Sequence, residues 1–186
     1  MDERKWVKTV QALISKKFKA KRLNLRIVDG KNLPYLNEIV SYQGSEPESR
    51  RSAYETDLLI LEDVSSEKWK PRVVIECKMK ISAHDAIAYS EKAFNHKTVH
   101  PYLRYGILLS TLKDDSLPWR VICHGAHFDF ILYWSDLVPS QTEIKDFLSI
   151  ILDEVEASKN LELLLYNSRY RDRKRFTLLH RPLRLK

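Results

Sequence analysis

Residues 72–80 read RVVIECKMK, and within them Glu76 and Lys78 stand two positions apart. Alternate side chains of a strand share a face. Val73, Ile75, Cys77 and Met79 therefore fall on one side and Val74, Glu76, Lys78 and Lys80 on the other. The first set is a core face; the second puts a carboxylate beside an ammonium. Alone, such a pair on an amphipathic strand is most often a surface ion pair contributing ~0–1 kcal/mol. The preceding segment changes that reading. Residues 54–63, YETDLLILED, are apolar along most of their length, as a central strand buried on both faces would be, and Asp57 stands near the start. A sheet that held Asp57 against Glu76 would bring together two carboxylates, which repel unless a divalent cation lies between them. No thiol or imidazole cluster is offered, so a hard, oxygen-seeking ion such as Mg²⁺ suits the pair.

The elements that must position these residues follow from periodicity. Trp6, Val7, Val10, Leu13, Ile14 and Phe18 recur at helical spacing over 4–20, with Lys and Arg on the other side. A Gly-Lys-Asn-Leu-Pro turn at 30–34 is expected to open a second helix over 35–43, which carries Glu38, and GSEPESRRS at 44–52 reads as a loop. After the strands at 54–63 and 72–80, residues 81–98 read as a helix and 104–110 as a third strand. WRVICHG and HFDFILYW, meeting at Gly125, suggest a hairpin. Residues 141–156 are a strong amphipathic helix, and LELLLY adds a further apolar turn. The expected fold is α/β, a three-layer α/β/α sandwich around a central mixed β-sheet. The unit at 72–110 should be a right-handed crossover that leaves its two strands parallel.

With 186 residues, 44% hydrophobic content and only four Gly, the chain is expected to form one domain with a real core, spanning 1–186. Within it, 1–30 form an N-terminal helix and turn, 31–138 the catalytic core, and 139–186 the C-terminal helices and basic tail. The net charge of +7 favours an anionic partner, nucleic acid before a membrane surface. The start, MDERKWVKTV, has no apolar leader, and no run approaches the ~18 apolar residues that span a bilayer, so a cytoplasmic protein is expected. Cys77 and Cys123 lack zinc-ligand spacing and read as reduced and buried. His96 and His100 could share a zinc ion only if their helix passed Pro101, and no third ligand completes a site.

Tyr-Glu-Thr-Asp57-Leu-Leu-Ile, followed nineteen residues later by Val-Val-Ile-Glu76-Cys-Lys78, resembles the core of the PD-(D/E)XK nucleases: an acid, a connection, then an apolar strand ending in acid-x-Lys. The core likeness covers roughly 35–110, with Thr56 in the place of a Pro that is often absent in the family. The chain's size, its YETDLLI and IECK strings and its basic tail are similar to the small subunit of a heterodimeric type IIS restriction endonuclease. The resemblance implies a restriction-endonuclease-like fold and Mg²⁺-dependent hydrolysis of double-stranded DNA. It implies Asp57 and Glu76 as metal ligands, joined by the main-chain carbonyl of Cys77, with Lys78 orienting or deprotonating the attacking water. Some family members add a glutamate from the first core helix, and Glu38 is the candidate here.

A phosphodiester needs an activated water, an in-line approach and a cation to stabilise the pentavalent oxyanions, which agrees with this set. Lys80 and His84, just past the acid-x-Lys strand, are candidates to touch DNA, while Tyr89 reads as a half-buried ring packed on the sheet. The tail from 169 to 186 carries Arg171, Arg173, Lys174 and Arg175, interleaved with Tyr170, Phe176 and Leu178, and suggests docking on phosphates or on a protein. No separate target-reading module is evident, so sequence recognition is expected to reside in a larger partner subunit, this chain cutting one strand. A self-sufficient junction or repair nuclease, or a non-catalytic DNA-binding or assembly protein on the same fold, are the alternatives.

Overall fold

The computed structural model describes residues 2–110 and 119–167. The elements run α1 (Glu3–Ala20), β1 (Leu25–Gln43), β2 (Glu46–Asp63), β3 (Trp69–Lys78), α2 (Ala83–Val99), β4 (Arg104–Ser110), α3 (Trp119–His124), β5 (Phe130–Trp134) and α4 (Gln141–Asn167). They build an α/β fold around a five-stranded mixed sheet ordered β1-β2-β3-β4-β5. The first three strands are antiparallel to one another, and the last three are parallel.

Helices cover both faces. On one side α1 contributes Trp6, Val10, Ile14 and Phe18 and α4 contributes Phe147, Ile151 and Val155 to a core against Leu58, Ile60, Val73, Ile75 and Cys77. On the other, Ala93 of α2 packs with Leu33, Leu59, Leu61, Val74 and Tyr105. The alternation expected for 72–80 thus holds, with the difference that Val74 and Glu76 are also buried, under α2. The parallel pairing of β3 with β4 across α2 also agrees with the sequence reading. Local signals fix the helix starts. Asp2 accepts from the Lys5 N–H at 2.8 Å, and Ser82 with Asp85 forms a reciprocal capping box at α2. Ser140 and Glu143 cap α4 in the same way.

Four expectations are corrected. The 30–34 turn, the helix over 35–43 and the loop at 44–52 are instead one long β1–β2 hairpin, whose partners run from Leu25↔Glu62 to Gln43↔Glu46. Every residue from Leu36 to Arg51 is exposed, so the outer half stands clear of the body as an arm. The segment 119–124 is a short helix, not the first strand of a hairpin with β5. The last helix continues to Asn167, because Glu162 in its final turns pairs with Lys70 and, at 2.7 Å, with the buried Arg72 of β3. Cys77 is buried, but Cys123 is exposed; both are free thiols. Among the described residues no helix is long and apolar enough to cross a membrane.

Gly106 on β4 pairs with Phe130 on β5, and a Cβ built at Gly106 would lie 2.2 Å from the Phe130 ring. The glycine therefore makes room for an aromatic that seals the β4–β5 edge. Gly106→Ala should lower the unfolding free energy by about 1–3 kcal/mol through overpacking, and Gly106→Ala combined with Phe130→Leu should recover part of it; chemical denaturation checks both.

Candidate active site

The ladder between β2 and β3 ends at the pair Leu58↔Ile75. One step further along lie Asp57 and Glu76, so the register places the two sequence-predicted carboxylates opposite each other where the strands part. Asp57 continues the ladder with its side chain: its Oδ2 accepts from the main-chain N–H of Cys77 at 2.9 Å. A backbone donor that has lost its strand partner is satisfied by the very carboxylate the site requires.

Glu76 is 1% exposed. Its Oε1 accepts from Lys92 Nζ at 2.7 Å and from the Tyr105 hydroxyl at 2.5 Å. Burial pushes its carboxyl up to about 7; the nearby Lys92 ammonium opposes that shift and the charge on Asp57 adds to it. Burial likewise raises the Tyr105 hydroxyl well above its ordinary range, with the Glu76 charge second, which keeps that hydroxyl a donor.

Lys78 closes the strand. Its Nζ donates to Glu3 Oε1 at 2.6 Å and lies 5.2 Å from the centre of the Tyr89 ring. Burial works to lower its pKa, but the hydrogen bonds to Glu3 and Tyr89 prevail and hold it above the ordinary lysine value. Lys78 is therefore a firm ammonium. Tyr89 is half-buried, as its sequence context suggests, and faces Lys78 and Lys92 together. Lys80 and His84 are both exposed, one in the turn after β3 and the other in the first turn of α2. Arg171, Arg173, Lys174 and Arg175 lie outside the described residues.

Glu38 does not join the site. It sits in register with Arg50 on the exposed arm, seven residues before Asp57 on β2, roughly 23 Å away along an extended strand. The carboxylate that a helix does bring to the site is Glu3, at the start of α1. Besides binding Lys78, its Oε2 accepts from the Met79 N–H at 3.2 Å. One signal could have found it: Glu3 is the sole acid in α1, the first helix packed on the sheet.

Glu3, Asp29, Glu55 and Asp57 line a cleft of about 380 Å³ together with Arg4, Val7 and Gly30. Four carboxylates facing one concave space suit a cation better than a bare phosphate. Among the described residues no three His, Cys, Asp or Glu side chains stand close enough to make a complete ligand set by themselves. Asp57 lines this cleft while Glu76, its neighbour in register, lies buried beneath α2; both are oxygen donors of the kind a hard divalent ion takes. His96 and His100 do not compete for that role. His96 donates through Nδ1 to the Pro34 carbonyl at 3.1 Å, and His100 caps α2. Burial lowers the His96 pKa to about 4, so it is neutral at physiological pH. No protein-family model matches the chain, and no curated protein matches it either.

The Glu76 carboxyl titrates higher in the fold than in the unfolded chain. Its contribution to stability is thus present below about pH 4.5, the unfolded value, and lost as pH rises through about 7. The melting temperature of Glu76→Gln relative to wild type should therefore stand higher at pH 8 than at pH 5. Equal shifts at both pH values would show that Glu76 is not held in this environment.

Proposed function

We propose that this chain is a Mg²⁺-dependent DNA endonuclease with a restriction-endonuclease-like fold, and that it supplies one catalytic centre to a heterodimer whose larger subunit recognises the target. The observation that carries the reading is the meeting of Asp57, Glu76 and Lys78 where β2 and β3 part, with Asp57 bonded to the backbone of the acid-x-Lys strand.

In this reading Asp57, Glu76 and the Cys77 carbonyl would hold the metal. When bound, Mg²⁺ would supply Lewis-acid stabilisation of the phosphoryl oxygens and lower the pKa of water. The chain's own residues do the rest. Lys78, kept charged by Glu3 and Tyr89, would act as a fixed ammonium that orients the attacking water and offsets negative charge in the transition state. Deprotonating the water is not a role for so basic an ammonium. Lys80 and His84 would meet the flanking phosphates from the rim, and the basic residues of the chain would draw DNA towards a locally acidic cleft. The subunit role rests on the likeness of the YETDLLI and IECK strings and the chain's size, and a cytoplasmic setting follows from it.

In a complex of this chain with its larger subunit and Mg²⁺, the wild type should make double-strand breaks in plasmid DNA. Glu76→Ala should leave nicked circles only, with second-strand cutting reduced by at least about 10³-fold. Persisting double-strand cleavage would remove catalysis from this chain, and efficient linearisation by the chain alone would overturn its role as a dependent subunit.

A further inference from the structure

Glu76 is almost wholly buried, and the ammonium that neutralises it does not come from its own strand. Lys78, two residues along, is committed to Glu3. Lys92 arrives instead from α2, its side chain 16% exposed, and enters a cage with four walls. Its Nζ donates to Glu76 Oε1 at 2.7 Å and to the Glu55 main-chain carbonyl at 2.7 Å. The Tyr54 and Tyr89 rings stand with their centres 5.8 and 5.7 Å from the same nitrogen. Carboxylate, carbonyl and two π faces form a site built for a cation, and the Lys92 ammonium fills it.

We propose that Lys92 is the resident cation of the candidate metal site, so that a divalent ion must compete with its ammonium for the Glu76 carboxylate. The inference rests on the metal-binding reading of Asp57 and Glu76. Its physical basis is that a buried carboxylate without a counter-charge is costly. The buried Glu76 therefore calls for a positive group beside it. Lys92 suits that role because it can withdraw without being stranded: the Glu55 carbonyl and both rings remain beside it once Glu76 turns to another cation. Lys92 is thus a positioning residue for Glu76, and it sets the metal concentration at which the site fills.

Mn²⁺ binding to the full chain without DNA, followed by calorimetry or by the loss of the free-ion electron paramagnetic resonance signal, tests this directly. Lys92→Gln removes the charge while keeping a donor for Glu76, and it should bind Mn²⁺ at least about tenfold more tightly than wild type. Lys92→Arg should bind no more tightly than wild type, and Asp57→Asn should bind weakly. A second readout needs no variant at the lysine. Acylation of wild-type lysines, read by mass spectrometry, should increase several-fold at Lys92 when Ca²⁺ is added, while the exposed Lys80 is unchanged. Equal Mn²⁺ affinity of wild type and Lys92→Gln, or Lys92 reactivity indifferent to Ca²⁺, would overturn the competition and leave the metal-site reading standing. Absence of Mn²⁺ binding at millimolar concentration in wild type and Lys92→Gln alike would overturn both.

Discussion

Glu76 is an almost wholly buried carboxylate on the central strand of the sheet, and the rest of the site is arranged around that burden. Residues 71–77 are buried without interruption, so Glu76 occupies a position that Val or Ile would fill at lower cost. Replacing a buried ion pair by well-packed apolar groups is commonly neutral or stabilising. Glu76 is therefore poorly explained as a stabilising feature. Its partners are those that make its presence tolerable: an ammonium from α2 and a phenol from β4 on the same oxygen. A strand alternation set by burial thus dictates an electrostatic requirement, and two further elements are recruited to meet it.

The sheet opens at the right place for this. Beyond Leu58↔Ile75 the strands of the β2–β3 pair separate, and the side chain of Asp57 takes over the Cys77 N–H. Opposite Asp57 in the β1–β2 hairpin stands Gly30, at φ 61°, a backbone shape that other residues adopt at a cost. Past this point β1 and β2 pack on α2 through Leu33 and through the stacked Tyr35 and Tyr54 beside His96. The same departure of the hairpin that frees the edge of β3 exposes the acidic cleft and puts Glu55 and Tyr54 beside Lys92.

Much of the fold was legible because burial imposes clean periods. Residues 104–110 were readable as a strand and 4–20 as a helix, and the division of 72–80 into two faces agrees with Cys77 in the core under α1, although Glu76 pairs with Lys92 and Lys78 with Glu3 instead of with each other. The arm was not legible, for a specific reason. Leu36, Ile39 and Val40 have the i, i+3, i+4 spacing of a helix face, yet all three are exposed on the arm, whose ladder is shifted between Pro34 and Leu36 and between Ile39 and Ser41. Gly30 and Pro34 read as a turn, yet both are tolerated on an edge strand. That error carried Glu38 into the site and left Glu3 out. Val121 and Ile122 gave 119–124 a strand-like composition that a short helix overrides. Lys92 could not be found at all from sequence, since its role depends on which face of α2 meets β3 and on where Lys78 goes.

In the proposed function Asp57 and Glu76 share a divalent cation. Crystals of the chain soaked in Mn²⁺ and measured at the manganese absorption edge test it most directly. The account predicts one anomalous peak within coordination distance of both carboxylates and the Cys77 carbonyl, with the Lys92 ammonium drawn off Glu76. Manganese bound only elsewhere, with Lys92 still seated on Glu76, would contradict it.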